Sequence, residues 1–277
     1  MKRELSFEVF PPKTSDGIEV LYGCLERMAR LKPSFISVTY SAGNAKKGLT
    51  AEVCGHINSH YGIPSVSHLT CTGATVESVK AELNKLDGLG VKTILALRGD
   101  VTPEKPVVDF LHATDLMKVI NERGGFRLYG ACYPEGHVES KGIEEDYEVL
   151  VKKYRLGVRK FISQLFLDND DFLRMRDEGK RLCPEASFSA GIMPVLSASS
   201  AYRMITLSGA KIPEKMKNLL SAYENDDASM RKAGVDYATE QIEGLCAEGC
   251  EGIHLYTMCK ADVTEEICGR IGGYIDR

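Results

Sequence analysis

The sequence predicts an α/β fold: a closed (β/α)8 TIM barrel that forms a single domain over residues 1–277, with extra helices between strands seven and eight. Short apolar segments alternate along the chain with stretches whose apolar residues recur every three or four positions, which is typical of repeated β/α units. The first seven apolar segments begin about 30 residues apart, enough for a right-handed crossover between consecutive parallel strands. A length of 277 residues is close to the roughly 250 typical of one such barrel.

The predicted strands are short runs, several of them rich in Val, Ile, Phe and Tyr, which favour the extended conformation. They are Leu5–Phe10, Phe35–Tyr40, Ser65–Thr70, Thr93–Arg98, Arg127–Tyr133, Lys160–Phe166, Ser187–Val195 and Gly252–Met258. Closure of eight successive units into a barrel is the simplest arrangement, and an open doubly wound sheet is the alternative.

The predicted helices have apolar residues on one face. Those between strands are Gly17–Lys32, Thr75–Gly90, Thr114–Arg123 and Glu144–Gly157. The long interval before the last strand predicts two further helices, Ile212–Tyr223 and Ala228–Glu248, and Thr264–Ile275 is predicted to close the fold.

Composition excludes several classes of protein. The chain has 35 basic and 39 acidic residues, a net charge of −4 and no long basic block, so we expect no nucleic-acid partner. It has no apolar run long enough for a membrane span and no signal-peptide pattern at its start, so we expect no membrane partner. Nine scattered cysteines indicate reduced thiols in a cytoplasmic enzyme. Histidine and cysteine do not cluster at metal-ligand spacing, and neither a GxGxxG nor a P-loop motif is present.

Barrels of this class place catalytic groups at the carboxyl ends of their strands. Glu8 lies in an otherwise apolar strand, which favours an acid with a raised pKa over a structural salt bridge. Gln164 is predicted to be a buried amide that needs several hydrogen-bond partners, which a ligand can supply. His68 is either a satisfied core residue or a site residue. The polar residues predicted at strand ends are Glu8, Thr39, Tyr40, His68, Thr70, Arg98, Gly99, Asp100, Tyr133, Glu135, His137, Gln164, Asp168, Tyr256, Thr257 and Lys260.

Eight segments at these strand ends resemble, in the same order, the methylenetetrahydrofolate reductase family. They are FEVFPPK at Phe7–Lys13, SVTYSAG at Ser37–Gly43, SHLTC at Ser67–Cys71, LALRGD at Leu95–Asp100, YPEGH at Tyr133–His137, ISQLFLD at Ile162–Asp168, AGIMPV at Ala190–Val195 and HLYTM at His254–Met258. The length resembles that of the bacterial catalytic subunit.

The resemblance implies a barrel that binds FAD without a dinucleotide fold, takes electrons from NADH or NADPH, and reduces a folate-bound one-carbon unit. It implies Glu8 as general acid, Asp100 near flavin and pterin, and Gln164 as a pterin ligand; these are the expected catalytic residues. Gln164, Met204 and Lys260 are the expected substrate-binding residues. The expected cofactor-binding residues are Thr39, Tyr40, His68, Arg98, Gly99, Asp100, Tyr133, His137, Asp146, Lys152 and Lys153. The two lysines suit the charge of a pyrophosphate.

The chain departs from the family pattern at Val149, Ser200, Met204 and Lys260, which concern cofactor and substrate affinity more than the type of reaction. The resemblance also implies a homo-oligomer, and it leaves open an electron-delivering partner protein in place of NADH. Two other functions remain open: a different flavin barrel such as a proline dehydrogenase-like enzyme, and a catalytically silent folate-binding subunit.

Overall fold

The computed structural model describes residues 3–12, 17–40, 49–103 and 106–275. In these residues eight parallel strands pair in chain order, and β8 pairs with β1 to close the barrel. The predicted (β/α)8 TIM barrel is therefore confirmed, and the open doubly wound alternative is wrong. Lys13 and Ser41–Gly43, parts of two family-like segments, lie outside the described residues.

The strands are β1 (Glu4–Val9), β2 (Phe35–Val38), β3 (Ser65–Thr70), β4 (Thr93–Leu97), β5 (Arg127–Cys132), β6 (Lys160–Ser163), β7 (Ser187–Ile192) and β8 (Gly252–Tyr256). Most end earlier than the sequence predicts. The prediction for β7 runs to Val195, but Pro194 has no N–H to offer a neighbouring strand. The prediction for β6 runs to Phe166, but the chain leaves the sheet after Ser163.

The helices are α1 (Gly17–Ala29), α2 (Leu49–Tyr61), α3 (Val76–Gly88), α4 (Ala113–Arg123), α5 (Ile143–Arg155), α6 (Asn169–Leu182), α7 (Ala198–Ser208), α8 (Glu214–Ala222), α9 (Asp227–Ala247) and α10 (Ala261–Arg270). The predicted start of α3 at Thr75 is its N-cap, whose side chain accepts a hydrogen bond from the Ser78 N–H. Residues 193–251, all of which are described, hold α7 in addition to the two helices predicted there.

Alternate residues of each strand face opposite ways, which divides the interior into two regions. On β1, Phe7 and Val9 belong to the main core between strands and helices. Ser6 and Glu8 therefore face the inside of the barrel. Below them the barrel is filled by a separate apolar cluster of Phe35, Val66, Leu95 and Ile162, with Leu97 and Tyr129 packed against it. The barrel is thus solid at its base, and its polar residues lie towards the carboxyl ends of the strands.

A third apolar cluster joins α7, α8 and α9 to the loops after β6 and β7, and includes Val195, Ile205, Met216 and Met230. It holds the additional helices beside the carboxyl end of the barrel. All nine cysteines are described, and each is a free thiol. In the part of the chain that the structure describes, no helix combines the length and apolar character needed to cross a membrane.

Candidate active site

A cavity of about 680 Å³ opens at the carboxyl ends of the strands. It brings together most of the residues that the sequence predicts for the site, namely Glu8, Thr39, Tyr40, His68, Arg98, Gly99, Asp100, Tyr133, His137, Gln164 and Tyr256. The three expected catalytic residues, Glu8, Asp100 and Gln164, therefore line one pocket. Its volume is within the range of about 300–1,000 Å³ usual for small-molecule and cofactor sites.

Glu8 reaches this pocket from β1, with its side chain 18% exposed. Its main-chain carbonyl accepts a hydrogen bond of 2.6 Å from the Thr257 hydroxyl group, which fixes the backbone at the strand end. Its Oε2 atom lies 3.3 Å from His68 Nε2, 3.4 Å from Ser37 Oγ and 3.5 Å from His254 Nε2. The carboxyl group thus meets polar groups from three other strands.

The pKa of Glu8 differs from the sequence prediction. Burial alone raises it, and this was the basis for expecting a raised value. His68 and His254 outweigh burial, however, and lower the pKa of Glu8 from 4.5 to about 2. The prediction of a raised pKa is therefore wrong, because two imidazole rings face the carboxylate and favour its charged form.

His254 and its serine partners were not predicted as site residues. His254 is fully buried within the barrel, and its Nδ1 atom lies 2.7 Å from Ser6 Oγ. Its Nε2 atom lies 3.3 Å from Ser37 Oγ. Strand alternation was the available signal, because His254 precedes Tyr256 by two positions and so shares its inward-facing side of β8.

His68 lies on β3 opposite Glu8 and is nearly buried, with its side chain 8% exposed. Although its Nε2 atom is close to Glu8 Oε2, it is not in line for a hydrogen bond, and it has no other hydrogen-bond partner among the described residues. His68 therefore lines the pocket, and its buried Nε2 atom faces the carboxyl group of Glu8.

The end of β4 is held in place by the loop after β3. The Thr72 hydroxyl group donates a hydrogen bond of 2.7 Å to the main-chain carbonyl of Arg98. Gly99 has a φ of +83°, and a Cβ atom there would lie 3.0 Å from Thr70 Cβ and 3.3 Å from Thr72 Oγ1. A glycine is thus required for the backbone to line the pocket at this point.

Arg98 forms a bidentate pair with Glu139 across the pocket mouth, with N···O distances of 2.5 and 2.8 Å. Glu139 belongs to the loop after β5, in which Tyr133 and His137 make an edge-to-face contact with a centroid distance of 4.8 Å. Asp146 supports this loop, because its Oδ2 atom accepts a hydrogen bond of 3.0 Å from the His137 main-chain N–H. Asp146 therefore orders the loop that carries Tyr133 and His137 without lining the main cavity itself.

The two lysines expected near a pyrophosphate point in different directions. Lys153 is buried, and its ammonium group donates a hydrogen bond of 2.8 Å to the Ala131 carbonyl; burial lowers its pKa. It lines a small cavity with Asp146 and Val149 beside the main pocket. Lys152 is exposed on the outer face of α5, where it lies 3.9 Å from Glu148. The structure does not bring these lysines together as one charged pair.

Gln164 lies one residue beyond β6 and borders a second cavity of about 110 Å³ as well as the main one. Its Oε1 atom accepts a hydrogen bond of 2.9 Å from the Leu165 N–H. The prediction that it is a buried strand residue is wrong, since β6 ends before it and the residue is only half-buried. This leaves its amide at the boundary of both cavities.

The second cavity is lined mainly by apolar side chains, among them Phe10, Met193, Met204 and Met258. The expected substrate residue Met204 is therefore close to Glu8 and Gln164. Lys260 lines neither cavity; it is exposed and occupies the N-cap position of α10. Ser200, another departure from the family pattern, lies in the first turn of α7, where its hydroxyl group is 2.7 Å from that of Ser197.

Tyr256 separates the two cavities. Its hydroxyl group donates a hydrogen bond of 2.5 Å to the Ser163 carbonyl, immediately before Gln164. Gly191 on β7 makes room for this arrangement, because a Cβ atom there would lie 2.7 Å from the Tyr256 ring and 2.4 Å from the Ser163 oxygen. Gly191 was predicted only as a strand residue.

Comparison with known proteins agrees with this geometry. A family model described as methylenetetrahydrofolate reductase matches residues 1–272. The chain is 32% identical over 268 residues to a 5,10-methylenetetrahydrofolate reductase of Pectobacterium carotovorum, a match covering 97% of this chain and 90% of that protein. The corresponding protein of Escherichia coli K12 is 30% identical with the same coverage.

A solved structure supports the fold. A protein from Clostridium thermocellum, described as binding two copies of 5-methyl-5,6,7,8-tetrahydrofolic acid, superposes with a TM-score of 0.64 at 14% sequence identity. That match covers 99% of this chain and 96% of the other.

The closed barrel and its polar pocket define an enzyme that acts at the carboxyl ends of its strands. The chain belongs to the methylenetetrahydrofolate reductase family, and the predicted family and enzyme class, an oxidoreductase, are thereby confirmed. The proline dehydrogenase-like alternative has no support from these matches. Within the described residues, no group of three or more His, Cys, Asp or Glu side chains is arranged to hold a metal ion.

Proposed function

We propose that the protein reduces 5,10-methylenetetrahydrofolate to 5-methyltetrahydrofolate in two half-reactions at one site, with FAD as hydride carrier and NADH, or else NADPH, as electron donor. The observation that carries the proposal is that Glu8, Asp100 and Gln164 line one cavity in a member of this family. The proposed unit is a single FAD-binding catalytic barrel over residues 1–277, cytoplasmic and homo-oligomeric.

The residues of the pocket fit a flavin. The cavity has space for a tricyclic ring, and His68 lines its wall. Gly99 allows the backbone to approach a flat ligand closely, and the Arg98–Glu139 ion pair lies at the mouth. When bound, FAD would accept a hydride from the nicotinamide and give one to the folate carbon.

Glu8 is the proposed general acid. The overall reaction consumes one proton, and opening of the five-membered ring of the substrate requires that a proton reach the departing nitrogen. Glu8 is the carboxyl group at the junction of the two cavities. Because its pKa is about 2, the group is ionised at neutral pH and must take up a proton before each ring opening.

The remaining polar residues orient the substrate. Gln164 can hold the pterin ring, since it borders both cavities and its NH2 group is available to donate. Asp100 lies at the end of β4, where its charge can influence the flavin. Met204 and its apolar neighbours in the second cavity suit the aromatic part of the folate. Lys260 can then meet the carboxylates of the folate tail at the surface.

The test is Glu8→Gln, which keeps the size of the side chain and removes its acidic proton. We expect bound flavin, unchanged flavin reduction by NADH, and a loss of about 100-fold or more in transfer to methylenetetrahydrofolate. Both half-reactions are measured separately by anaerobic stopped-flow absorbance. The matched control is Glu148→Gln, at an exposed position on α5, which should alter neither.

Four results would contradict the proposal or one of its parts. Purified protein that is colourless and cannot be reconstituted with FAD would exclude FAD as the cofactor. An equal loss of both half-reactions in Glu8→Gln would make Glu8 structural. Tight folate binding without reduction would favour the silent folate-binding subunit, and reduction only with a protein electron donor would favour a partner over NADH.

A further inference from the structure

The carboxyl group of Glu8 is held asymmetrically. Among the described residues, every hydrogen bond or ion pair of its side chain involves Oε2: those with His68, Ser37 and His254. No described group is paired with Oε1. One oxygen of the carboxyl group is therefore anchored to the barrel interior, and the other is left for the pocket.

We propose that His254 is a positioning residue of the proposed reaction: it anchors Oε2 of Glu8, so that Oε1 is the oxygen that takes up a proton and delivers it to the substrate. The inference rests on the proposed function, in which Glu8 is the proton donor. His254 acts only through Glu8, since it is fully buried and lines neither cavity.

His254 is itself held firmly. Its ring stacks on Phe35 with a centroid distance of 5.7 Å and makes an edge-to-face contact with Tyr256 at 5.5 Å. His254 Nε2 faces Oε2 of Glu8 at 3.5 Å, and an ionised carboxylate can only accept, so the neutral ring carries its hydrogen on Nε2. Nδ1 then accepts from the Ser6 hydroxyl group, whose Oγ atom lies 2.7 Å away.

This tautomer gives every donor a consistent direction. Ser6 donates to His254 Nδ1, and His254 Nε2–H points between Ser37 Oγ at 3.3 Å and Glu8 Oε2 at 3.5 Å. The Ser37 hydroxyl group donates to the same Oε2 atom at 3.4 Å. The chain of hydrogen bonds therefore ends on Oε2 and requires only that this atom accept.

An anchored Oε2 is compatible with both states of the carboxyl group. In the carboxylate, Oε2 shares the negative charge; in the acid, it is the carbonyl oxygen and still accepts, while Oε1 carries the proton. A solvent proton, delivered as hydronium that is left as neutral water, forms the O–H bond at Oε1, and that bond breaks as the substrate nitrogen takes the proton. His254 exchanges no proton in either step.

The charges around His254 agree with a neutral ring. The titratable groups facing it are Glu8 and His68 at the top of the barrel, Tyr256 beside it and Lys160 below. Burial lowers the pKa of His254, Glu8 raises it, and His68 and Lys160 lower it further, so the outcome is a lowered value. At neutral pH the ring is a hydrogen-bond donor without a charge.

The test compares His254→Asn with His254→Gln in the full-length protein. A Gln amide can place an N–H where Nε2–H lies, whereas the shorter Asn cannot reach Oε2. For His254→Asn we expect the limiting rate of the folate half-reaction, measured at the acid end of its pH profile, to fall about 10–100-fold. The reason is that Oε1 is no longer held in the position from which it delivers a proton to the substrate nitrogen. The midpoint of that profile should rise by about one pH unit, because the carboxylate loses a donor. Flavin reduction by NADH should change less than about threefold, and His254→Gln should restore both parameters to near the wild-type values.

An NMR measurement, which does not require enzyme turnover, accompanies the kinetic experiments. In ¹⁵N spectra of the labelled protein, the two nitrogens of His254, assigned by their loss in His254→Asn, should show a neutral Nε2–H tautomer from pH 6 to 8. Ser6→Ala should abolish that preference, and it serves as the second variant if His254→Asn does not fold. If wild-type protein fails to reduce methylenetetrahydrofolate, the proposed function fails, while the spectra still decide the arrangement at His254.

Other outcomes would overturn the inference. An Nδ1–H tautomer or an imidazolium ion at pH 7 would remove the directed chain of hydrogen bonds. Equal losses in the Asn and Gln variants, with both half-reactions affected, would make His254 a packing residue. An unchanged pH profile in His254→Asn would show that the ring does not act on Glu8.

Discussion

Replacement of Gly191 by alanine should damage the junction between the two cavities. The new Cβ atom would lie 2.4 Å from the Ser163 carbonyl oxygen and 2.7 Å from both Cε2 and the hydroxyl oxygen of Tyr256. Carbon atoms normally approach at about 3.5–4.0 Å, so the neighbours must move by about 1 Å. The Ser163 oxygen is part of the β6 backbone, so β6 and β7 must shift apart locally, and the Tyr256 side chain must also leave its place.

The cost follows from two terms. Overpacking of a well-packed interior costs about 1–3 kcal/mol. Loss of the hydrogen bond from Tyr256 to Ser163, which is 2.5 Å long, adds about 1 kcal/mol. We therefore expect Gly191→Ala to lower the free energy of unfolding by about 2–4 kcal/mol, which leaves a typical domain folded. Displacement of Tyr256 should also slow the folate half-reaction more than flavin reduction.

The assay is urea unfolding followed by circular dichroism, with both half-reactions measured on the same preparations. Gly23→Ala is the matched control, because Gly23 is exposed on α1 and a Cβ atom there meets nothing within 4 Å. That variant should be as stable as the wild type, or more stable by about 0.5–1 kcal/mol. The reasoning is refuted if Gly191→Ala unfolds within about 0.5 kcal/mol of wild type, a difference too small for overpacking.

Further predictions concern the loops at the pocket mouth. Burial and Asp171 raise the pKa of Glu135 from 4.5 to about 7 in the folded protein. As the pH rises, the Glu135 carboxyl group therefore ionises in the unfolded chain before it ionises in the folded protein, and the free energy of unfolding falls between about pH 4.5 and 7. Glu135→Gln keeps an acceptor for the Lys211 N–H. After allowance for solvent screening, we expect this variant to be about 1 kcal/mol more stable than wild type at pH 8 and equally stable at pH 4.5. Urea midpoints that differ equally at both pH values would contradict this. Gly99→Ala adds strain at a φ of +83° and a close contact with Thr70. We expect the free energy of unfolding in urea to fall by about 1–2 kcal/mol, and FAD binding, measured by fluorescence titration, to weaken at least about tenfold. Unchanged FAD affinity would show that the Gly99 backbone does not approach the flavin.

The periodicity of the sequence was sufficient for the fold because each strand carries its own local signal. Ser65–Thr70 has the predicted bounds, and β5 ends within one residue of its prediction. The helices α2 and α6 were not located, because their buried residues include polar or small ones, Thr50 and Gly55 in α2 and Asp171 and Gly179 in α6, and so no clean apolar stripe marks them. Local patterns thus predict elements well where one face is apolar and poorly where the buried face is mixed.

Most of the pocket could be predicted for a related reason: in a closed barrel, every strand end points to the same rim. Knowing the strand ends was enough to bring Glu8, Asp100 and Gln164 together. Lys152 and Lys153 show the limit of this reasoning. They are adjacent on a helix, where successive side chains point about 100° apart, so neighbours in sequence do not act as one charged pair. The structure accordingly buries one and exposes the other.

The pKa of Glu8 could not be predicted from the sequence because it depends on distant strands. A carboxyl group in an apolar strand has a raised pKa if nothing polar faces it. His254 approaches it from a position 246 residues further along the chain, and His68 approaches from β3. The position of these rings depends on the register between β1 and β8, in which Ser6 pairs with His254 and Glu8 with Tyr256. A slip of one residue in that register would turn His254 away from the barrel interior. The acidity of Glu8 is therefore a property of barrel closure, and a variant that disturbs the pairing of β8 with β1 should change the pH profile of the folate half-reaction before it changes the binding of flavin.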